Sequence, residues 1–375
     1  MPRTMRAARA HPGEAVMRIE TIDVPQVENG DVLVRVAAAG LTRGLLSMWR
    51  RGMIKLLPAV LGHEMAGTVA AVGERAGQWQ VGDRVRIHPT LSCRSCEYCT
   101  SEREPMCREV SVMGHTAYTP EAMPLYERYH NGGLAEYIKV PSWSLDRVPD
   151  GVSLEVASRV HSMGVGYRAL RKAQVPPGGS LILNAATGAA GASVVKFAPT
   201  FGIGRVIAVG RSRANLERIR AWEPDRIEIL PLEELPAGWE ERDGLLNRVM
   251  SLTDGRGADA LIDFMPTPSA ATVQGIRSLR KGGTAVLTGG NYGDLGGLRY
   301  GDVMRGQWRI EGNQGYSRSD ARAIMGLLGS RTVVMDELVT HRLRLDEVMR
   351  AVELIESREG APLYIVIDPG RTDPA

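Results

Sequence analysis

Cysteine is nearly absent from this 375-residue chain: four residues fall between Cys93 and Cys107, and none lies elsewhere. That excludes a disulfide framework, and such clustering in a chain without a secretion signal points to a metal. Aromatic residues make up 5% of the sequence, with three Phe among them, in a composition that is otherwise ordinary for a globular enzyme. No apolar run approaches the roughly 18 to 20 residues of a membrane-spanning helix. The N-terminus also lacks the apolar core of a signal peptide, so the expectation is a cytosolic protein with no membrane association. A net charge of +3 gives no reason to expect a nucleic-acid partner. Internal repeats and low-complexity tracts are missing, while the length suffices for two domains with sizeable cores.

What is present is most informative over residues 181–213. An apolar run at 181–184 leads into a turn of small residues, Ala185-Ala186-Thr187-Gly188-Ala189-Ala190-Gly191. A helical stretch follows at 192–201, then a second apolar run at 206–210. This is the pattern of one β-α-β unit in a buried parallel sheet. A turn without bulk lets backbone approach a pyrophosphate, and free N–H groups at a helix N-terminus favour negative charge. The turn lacks the first glycine of the usual G-x-G-x-x-G pattern, keeping Gly188 and Gly191. Thr187, Gly188, Ala189, Ala190 and Gly191 are therefore the candidate cofactor-binding turn. An acid about 20 residues further on would suit a free ribose 2′-hydroxyl. The second strand instead ends in Gly210-Arg211-Ser212-Arg213, whose guanidinium groups suit a 2′-phosphate, so NADP(H) is expected over NAD.

Short β-type runs broken by Gly, Pro and Asp occupy the first part of the chain, at 32–36, 66–72, 84–87 and 136–140. Their spacing predicts a small antiparallel barrel or sandwich. From about residue 153 helices and apolar strands alternate: a helix over 155–173, then strands at 260–264, 284–287 and 309–311. After residue 315 come a helix over 319–328, a strand over 338–343, a helix over 346–357 with Asp346 as its N-cap, and a last strand over 364–367. These late elements break the rhythm and are assigned back to the first domain. Residues 370–375 are expected to fray.

The spacing Cys93-x2-Cys96-x2-Cys99-x7-Cys107 places four thiols in one short loop, suited to a tetrahedral structural zinc. Four protein sulfurs leave no open coordination position, so such a site folds a lobe without doing chemistry. Iron-sulfur or redox use of the thiols is the alternative.

Gly62-His63-Glu64, Val81-Gly82-Asp83-Arg84-Val85, the cysteine lobe, Gly132-Gly133-Leu134-Ala135-Glu136-Tyr137 and Gly166-Tyr167-Arg168-Ala169-Leu170, followed by the β-α-β unit, resemble the medium-chain dehydrogenase/reductase superfamily. The resemblance runs over nearly the whole chain and is nearest to the zinc-type alcohol dehydrogenase branch. It implies an α/β protein with a GroES-like antiparallel β catalytic domain over residues 1–152 and 317–375, carrying the zinc lobe at 93–107. It further implies an inserted Rossmann domain, a doubly wound parallel sheet, over 153–316. NAD(P)-dependent hydride transfer to or from a small-molecule substrate, and a homodimer, come with it.

The resemblance also exposes a departure. In the zinc alcohol dehydrogenases a metal-ligating cysteine sits in a Gly-x-Cys-x-Ser/Thr-Asp context, and the matching stretch here is Gly40-Leu41-Thr42-Arg43-Gly44-Leu45. Thr42 takes the place of the cysteine, Gly44 that of the relay hydroxyl and Leu45 that of the acid. A neutral hydroxyl supplies neither the charge nor the softness of a thiolate. The second ligand is kept as His63, with Glu64 beside it, and the third falls on His161. His63, Glu64 and His161 remain a chemically reasonable zinc set. Without metal, His63 and His161 become candidate proton donors, because an imidazole titrates near neutrality. Thr42, His63, Glu64 and His161 are thus the candidate catalytic residues, and the resemblance implies that Arg43 reaches the cofactor pyrophosphate.

The leading expectation is an NADPH-dependent reductase acting on an activated C=O, C=N or C=C without a full catalytic zinc site. The alternatives are a zinc alcohol dehydrogenase using His63, Glu64 and His161, and a non-redox NADP(H)-binding member. Residues 111–131, with His115, Tyr118, Tyr126, Tyr129 and His130, are either a pocket wall or a surface loop.

Overall fold

A computed structural model describes residues 2–289 and 293–371. Part of the tail expected to fray, residues 372–375, lies outside the described residues. The chain divides into two compact units, Met1–His161 with Tyr316–Ala375, and Ser162–Gly315.

The first unit is built on strand Asp31–Gly40, which is buried at eight of ten positions because strands flank it on both sides. Glu64–Val72, Tyr137–Pro141 and Tyr364–Asp368 all pair with it antiparallel. The sheet order is Leu145–Arg147, Arg84–Ile87, Glu64–Val72, Asp31–Gly40, Tyr364–Asp368, Val339–Arg344, with Tyr137–Pro141 off that path. Only the last pair in this order is parallel. A three-stranded sheet, Met17–Asp23, Thr4–Ala10 and Ala59–Val60, adds a second layer. Their shared core is aliphatic, with Val34, Leu45, Leu61, Val85, Leu134, Val140 and Ile367 essentially inaccessible. Burial of each such side chain stabilises by about 1.5–3 kcal/mol.

Two sequence expectations require correction here. The helix expected over 155–173 is two helices, Leu154–Ser158 and Val160–Ala173, interrupted at Arg159. Arg159 leaves helical geometry, with φ −85° and ψ 5°, and its side chain turns into the core at 1% exposure. Asp346 does not cap the late helix. Its carboxylate pairs with Arg344 at 3.0 Å, while Glu347 accepts the Arg344 backbone N–H at 3.0 Å and the α-helix begins at Val348.

The second unit is a six-stranded sheet, parallel throughout, in the order Ile227–Pro231, Arg205–Gly210, Ser180–Asn184, Ala258–Asp263, Leu279–Leu287, Arg309–Gly312. By sequence that is the order 3-2-1-4-5-6 of a doubly wound sheet. Ser180–Asn184 is buried at all five positions, which explains why it reads as a continuous apolar run instead of an alternation. The strand order reverses between Ser180–Asn184 and Ala258–Asp263, and ligands of such sheets bind at that point, beyond the carboxyl ends of the strands.

Candidate functional site

The four sulfurs of Cys93, Cys96, Cys99 and Cys107 lie within 4.8 Å of one another, the only group of metal-ligating atoms so convergent among the described residues. Cys93 Sγ stands 3.9 Å from Cys99 Sγ and 3.6 Å from Cys107 Sγ. A tetrahedron with Zn–S bonds of about 2.3 Å has edges of roughly 3.8 Å, so the site fits zinc. Backbone N–H groups prepare the sulfurs for negative charge. Cys96 N–H donates to Cys93 Sγ and Glu109 N–H to Cys107 Sγ, each at 3.4 Å. Donation by the Ser95 backbone is the main reason the Cys93 thiol is lowered to about 6.

At the reversal point of the parallel sheet, the turn after Asn184 passes through Ala185 in the left-handed region at φ 54° and closes with a Gly188 N–H to Ala185 carbonyl bond of 3.0 Å. Gly188 is the N-cap of helix Ala189–Phe197. The first-turn N–H groups of a helix have no intrahelical acceptor, so Ala189, Ala190 and Gly191 present donors to an anion. Gly191 has to be glycine: a Cβ there would stand 2.7 Å from the carbonyl oxygens of both Ala185 and Ala186. The cradle therefore fits a pyrophosphate, with Thr187 inside the turn. Strand Arg205–Gly210 ends nearby in sequence, and Ser212 is the N-cap of helix Arg213–Arg220. Arg211 is exposed and makes no ion pair among the described residues. Arg213 is committed: Nη2 donates to Glu234 at 2.7 Å, Nη1 to Glu217 at 3.1 Å, and its backbone N–H to Glu233 at 2.8 Å. Glu233 and Glu234 were missed by the sequence reading because they follow the next strand rather than this one.

In the first unit, Thr42 is the N-cap of helix Arg43–Arg50, its Oγ1 accepting the Leu45 N–H at 3.2 Å. Arg43 opens that helix with its side chain exposed. Glu64 is buried at 1% exposure and ion-paired with Arg159 through Oε2 and Nη1. Arg159 also donates to the Leu41 carbonyl at 3.4 Å and lies 4.9 Å above the Tyr364 ring. Gly40 makes room for this pair, since a Cβ there would be 2.7 Å from Glu64 Oε2 and would overlap the Arg159 guanidinium.

His63 and His161 are brought together, ring centroids 4.4 Å apart and edge to face. A third imidazole, His115, packs on His63 at 5.0 Å, and Tyr316 sits 5.2 Å from His161. Tyr316 in turn stacks on His88 at 4.7 Å and accepts from Arg86 at 3.2 Å. The Nδ1 atoms of His63, His115 and His161 are buried without a protein partner. Burial is the first cause of depressed imidazole basicity throughout: His63 lies well below the ordinary range, His115 falls to about 4 and His161 to about 3. Nearby His and Arg charges add to the effect on His63 and His161. All three are therefore neutral near pH 7, which corrects the expectation of histidines titrating near neutrality. The donor set His63, Glu64 and His161 does not converge as the cysteines do, because the Glu64 carboxylate is turned to Arg159.

Comparison with known proteins meets this geometry at both units. Residues 28–150 match the alcohol dehydrogenase GroES-like domain, and residues 189–330 match the zinc-binding dehydrogenase family. The chain belongs to the zinc-type alcohol dehydrogenase-like branch of the medium-chain dehydrogenase/reductase superfamily. Sorbitol dehydrogenase of Bacillus subtilis is 27% identical over 375 residues, covering 99% of each chain. D-xylulose reductase A of Aspergillus oryzae is 27% identical over 362 residues, covering 93% of each. A solved NAD-dependent alcohol dehydrogenase superposes with a TM-score of 0.81 at 26% identity, covering 98% of this chain and 100% of that one.

As a member of this superfamily, the chain is a mixed α/β oxidoreductase, and small-molecule substrates are consistent with its polyol dehydrogenase relatives. No helix among the described residues is long and apolar enough to cross a membrane. Residues 111–131 are packed structure. Tyr126 is buried and donates to the His115 carbonyl at 3.1 Å, and Tyr129 donates to Asp31 at 2.6 Å. Sequence reasoning placed His115 in a stretch read as either a pocket wall or a surface loop, and missed Arg159 and Tyr316 altogether. Arg159 reads as an ordinary helical position, and Tyr316 lies just past the last strand of the parallel sheet.

Proposed function

We propose that this protein is an NADPH-dependent reductase that transfers hydride to an activated C=O, C=N or C=C of a small molecule, with neutral imidazoles standing where the family resemblance implies a catalytic metal. The observation that carries the reading is the commitment of Thr42, which stands in the place of the family's ligating cysteine, to a helix cap and of the expected ligand Glu64 to Arg159, beside His63 and His161 with unpartnered Nδ1 atoms. A bound nicotinamide supplies the hydride. A neutral imidazole polarises a carbonyl or iminium acceptor by hydrogen bonding, without carrying charge itself. Electrophiles that are already activated need no Lewis acid. His63 and His161 would orient the acceptor, and the proton that completes reduction would come from solvent. The turn Thr187–Gly191 would hold the pyrophosphate. Gly210, Arg211, Ser212 and Arg213 would face the 2′-phosphate, with Arg211 as the free cation. The four cysteines would hold one structural zinc.

The reading is tested by metal analysis together with NADPH oxidation over aldehydes, enones and imines. One zinc per chain with turnover of an activated acceptor supports it; two zinc per chain with oxidation of simple polyols overturns it. The second reading is that of a zinc-dependent polyol dehydrogenase using His63, Glu64 and His161. It is favoured by the sorbitol and xylulose relatives, and the second result would establish it. Tight NADPH binding with no turnover would point to a non-redox member. Replacing Arg211 by Ser should weaken NADPH about tenfold and leave NADH unchanged; equal loss for both cofactors would remove the 2′-phosphate assignment. A homodimer fits edge strand Arg309–Gly312 and the exposed Tyr300 and Met304 of the helix that precedes it in sequence, and light scattering checks that state.

A further inference from the structure

Two adjoining cavities flank the cysteine lobe in the first unit, and neither includes the histidine cluster. The larger, about 530 Å³, is lined by Trp79, Trp143, Arg94 and Arg318 among others. The smaller, about 240 Å³, shares Trp143, Arg94 and Arg318 with it, reaches back to His88 and Glu104, and is walled on one side by Cys99 of the lobe. The larger volume falls in the range of roughly 300–1,000 Å³ typical of small-molecule sites.

The lining combines three chemistries. Arg94 and Arg318 place guanidinium carbons 5.2 and 5.8 Å from the centre of the Trp143 ring, so two cations share one indole. Arg94 makes no ion pair among the described residues, and the Asp146 carboxylate stands 3.9 Å from Arg318. Asp146 is shared with Arg86 at 3.0 Å and Glu104 also acts on Arg318, which leaves Arg94 as the cation with no carboxylate paired to it among the described residues. Trp79 has its N–H bonded to the Ser142 carbonyl at 3.0 Å, which fixes the indole. Finally, Glu104 and His88 are 7% and 1% exposed, and Glu104 Oε2 and His88 Nε2 have no protein partner. Buried polar atoms normally find one.

We infer that this two-part cavity binds a planar aromatic ring that bears an anionic group and an N–H or O–H donor. The anion is held by Arg94 and Arg318, for which guanidinium forks suit carboxylate and phosphate alike. The ring lies against the indoles of Trp79 and Trp143, and the donor meets the Glu104 carboxylate. An aromatic carboxylate and a nucleoside monophosphate share this chemistry.

Isothermal titration of the full-length, zinc-loaded protein separates the cases. The probes are 4-hydroxybenzoate, indole-3-carboxylate and adenosine 5′-monophosphate, set against phenol, indole and adenosine for the ring alone and acetate and phosphate for the anion alone. At least one complete probe should bind once per chain and about tenfold more tightly than either of its halves. A carboxylate probe in first place names an aromatic acid, and the monophosphate in first place names a nucleotide. Saturating NADPH should leave the binding unchanged. Arg94→Gly should weaken it at least about tenfold; Arg94 sits at φ 64°, a conformation glycine adopts freely, so the loop keeps its shape. Trp143→Leu and Arg318→Met should act in the same direction, with melting curves showing that each variant folds. The inference is overturned if no probe binds, if the halves bind as well as the whole, if NADPH competes, or if folded Arg94→Gly binds like the parent.

Discussion

The cysteine lobe and the histidine cluster belong to one unit, and both stand where the zinc-type family resemblance places a metal, yet they are built differently. In the lobe four donors converge within 4.8 Å and backbone N–H groups point at the sulfurs. In the cluster the imidazoles meet edge to face, the nearby carboxylate is neutralised by a guanidinium, and the threonine caps a helix. Four thiols in one site suit a single divalent cation. The other has its charges already balanced, and its histidines are held neutral. Metal-ligating atoms converge in the lobe and, among the described residues, nowhere else.

The largest expected effect breaks the first half of that comparison. Cys96→Ser, or exhaustive chelation, should remove the single equivalent of zinc and open residues 93–107 to proteolysis. Zinc binding to small folded sites is worth about 10–16 kcal/mol in apparent free energy, all of it tied to the fold of the lobe. Metal analysis with limited proteolysis reads the result, and a chain that keeps its lobe folded without zinc would contradict the structural role.

Next in size is the Arg159–Glu64 pair, which defines the second half. Arg159→Met leaves a carboxylate buried at 1% exposure without its guanidinium, which should cost about 3–5 kcal/mol in urea unfolding. Adding Glu64→Gln should recover part of that loss, because the stranded charge is gone. A small loss in the single variant would mean that Glu64 has another cation, such as a metal, within reach.

The pH dependence of stability sharpens the contrast further. His115 and His161 are depressed to about 4 and about 3, and His63 and His88 lie well below the ordinary 6.5. Below 6.5 the unfolded chain takes up protons that the folded chain refuses, so the stability held by the neutral imidazoles is full above that value and is lost as pH falls. Each group contributes a slope of about 1.4 kcal/mol per pH unit in that window. Urea titrations between pH 7 and 5 should show it, and His115→Asn should flatten it by one group. The slope should survive chelation, whereas a metal held by these histidines would tie it to metal content.

Much of this was legible in sequence for reasons of distance along the chain. The cysteine lobe and the pyrophosphate turn each occupy one short segment, so spacing and small residues encode them directly. The parallel strands read as apolar runs because both faces are buried. The histidine cluster draws on residues 63, 115, 161 and 316, from four separate segments, and no local pattern joins them. Arg159 was invisible for the same reason: a helical periodicity says nothing about one side chain that leaves the helix to meet Glu64. Arg213 gave the opposite error. It reads as a free cation in sequence, but two carboxylates from different elements hold it in the fold.

Thr42 provides the smallest effect and the finest test of the comparison. If its hydroxyl serves the backbone, Thr42→Ala should cost the value of a lost N-cap, about 1 kcal/mol, while Thr42→Ser, which keeps the acceptor oxygen, should be nearly neutral. Neither should change zinc content, since the lobe supplies the only convergent ligand set among the described residues. Thr42→Cys replaces the hydroxyl by the soft, ionisable donor that the family uses. With Glu64 still held by Arg159 and the imidazoles serving the acceptor, zinc should remain at one equivalent in metal analysis. A second equivalent in Thr42→Cys would show that the histidines were positioned for metal all along and that the threonine alone had kept it out.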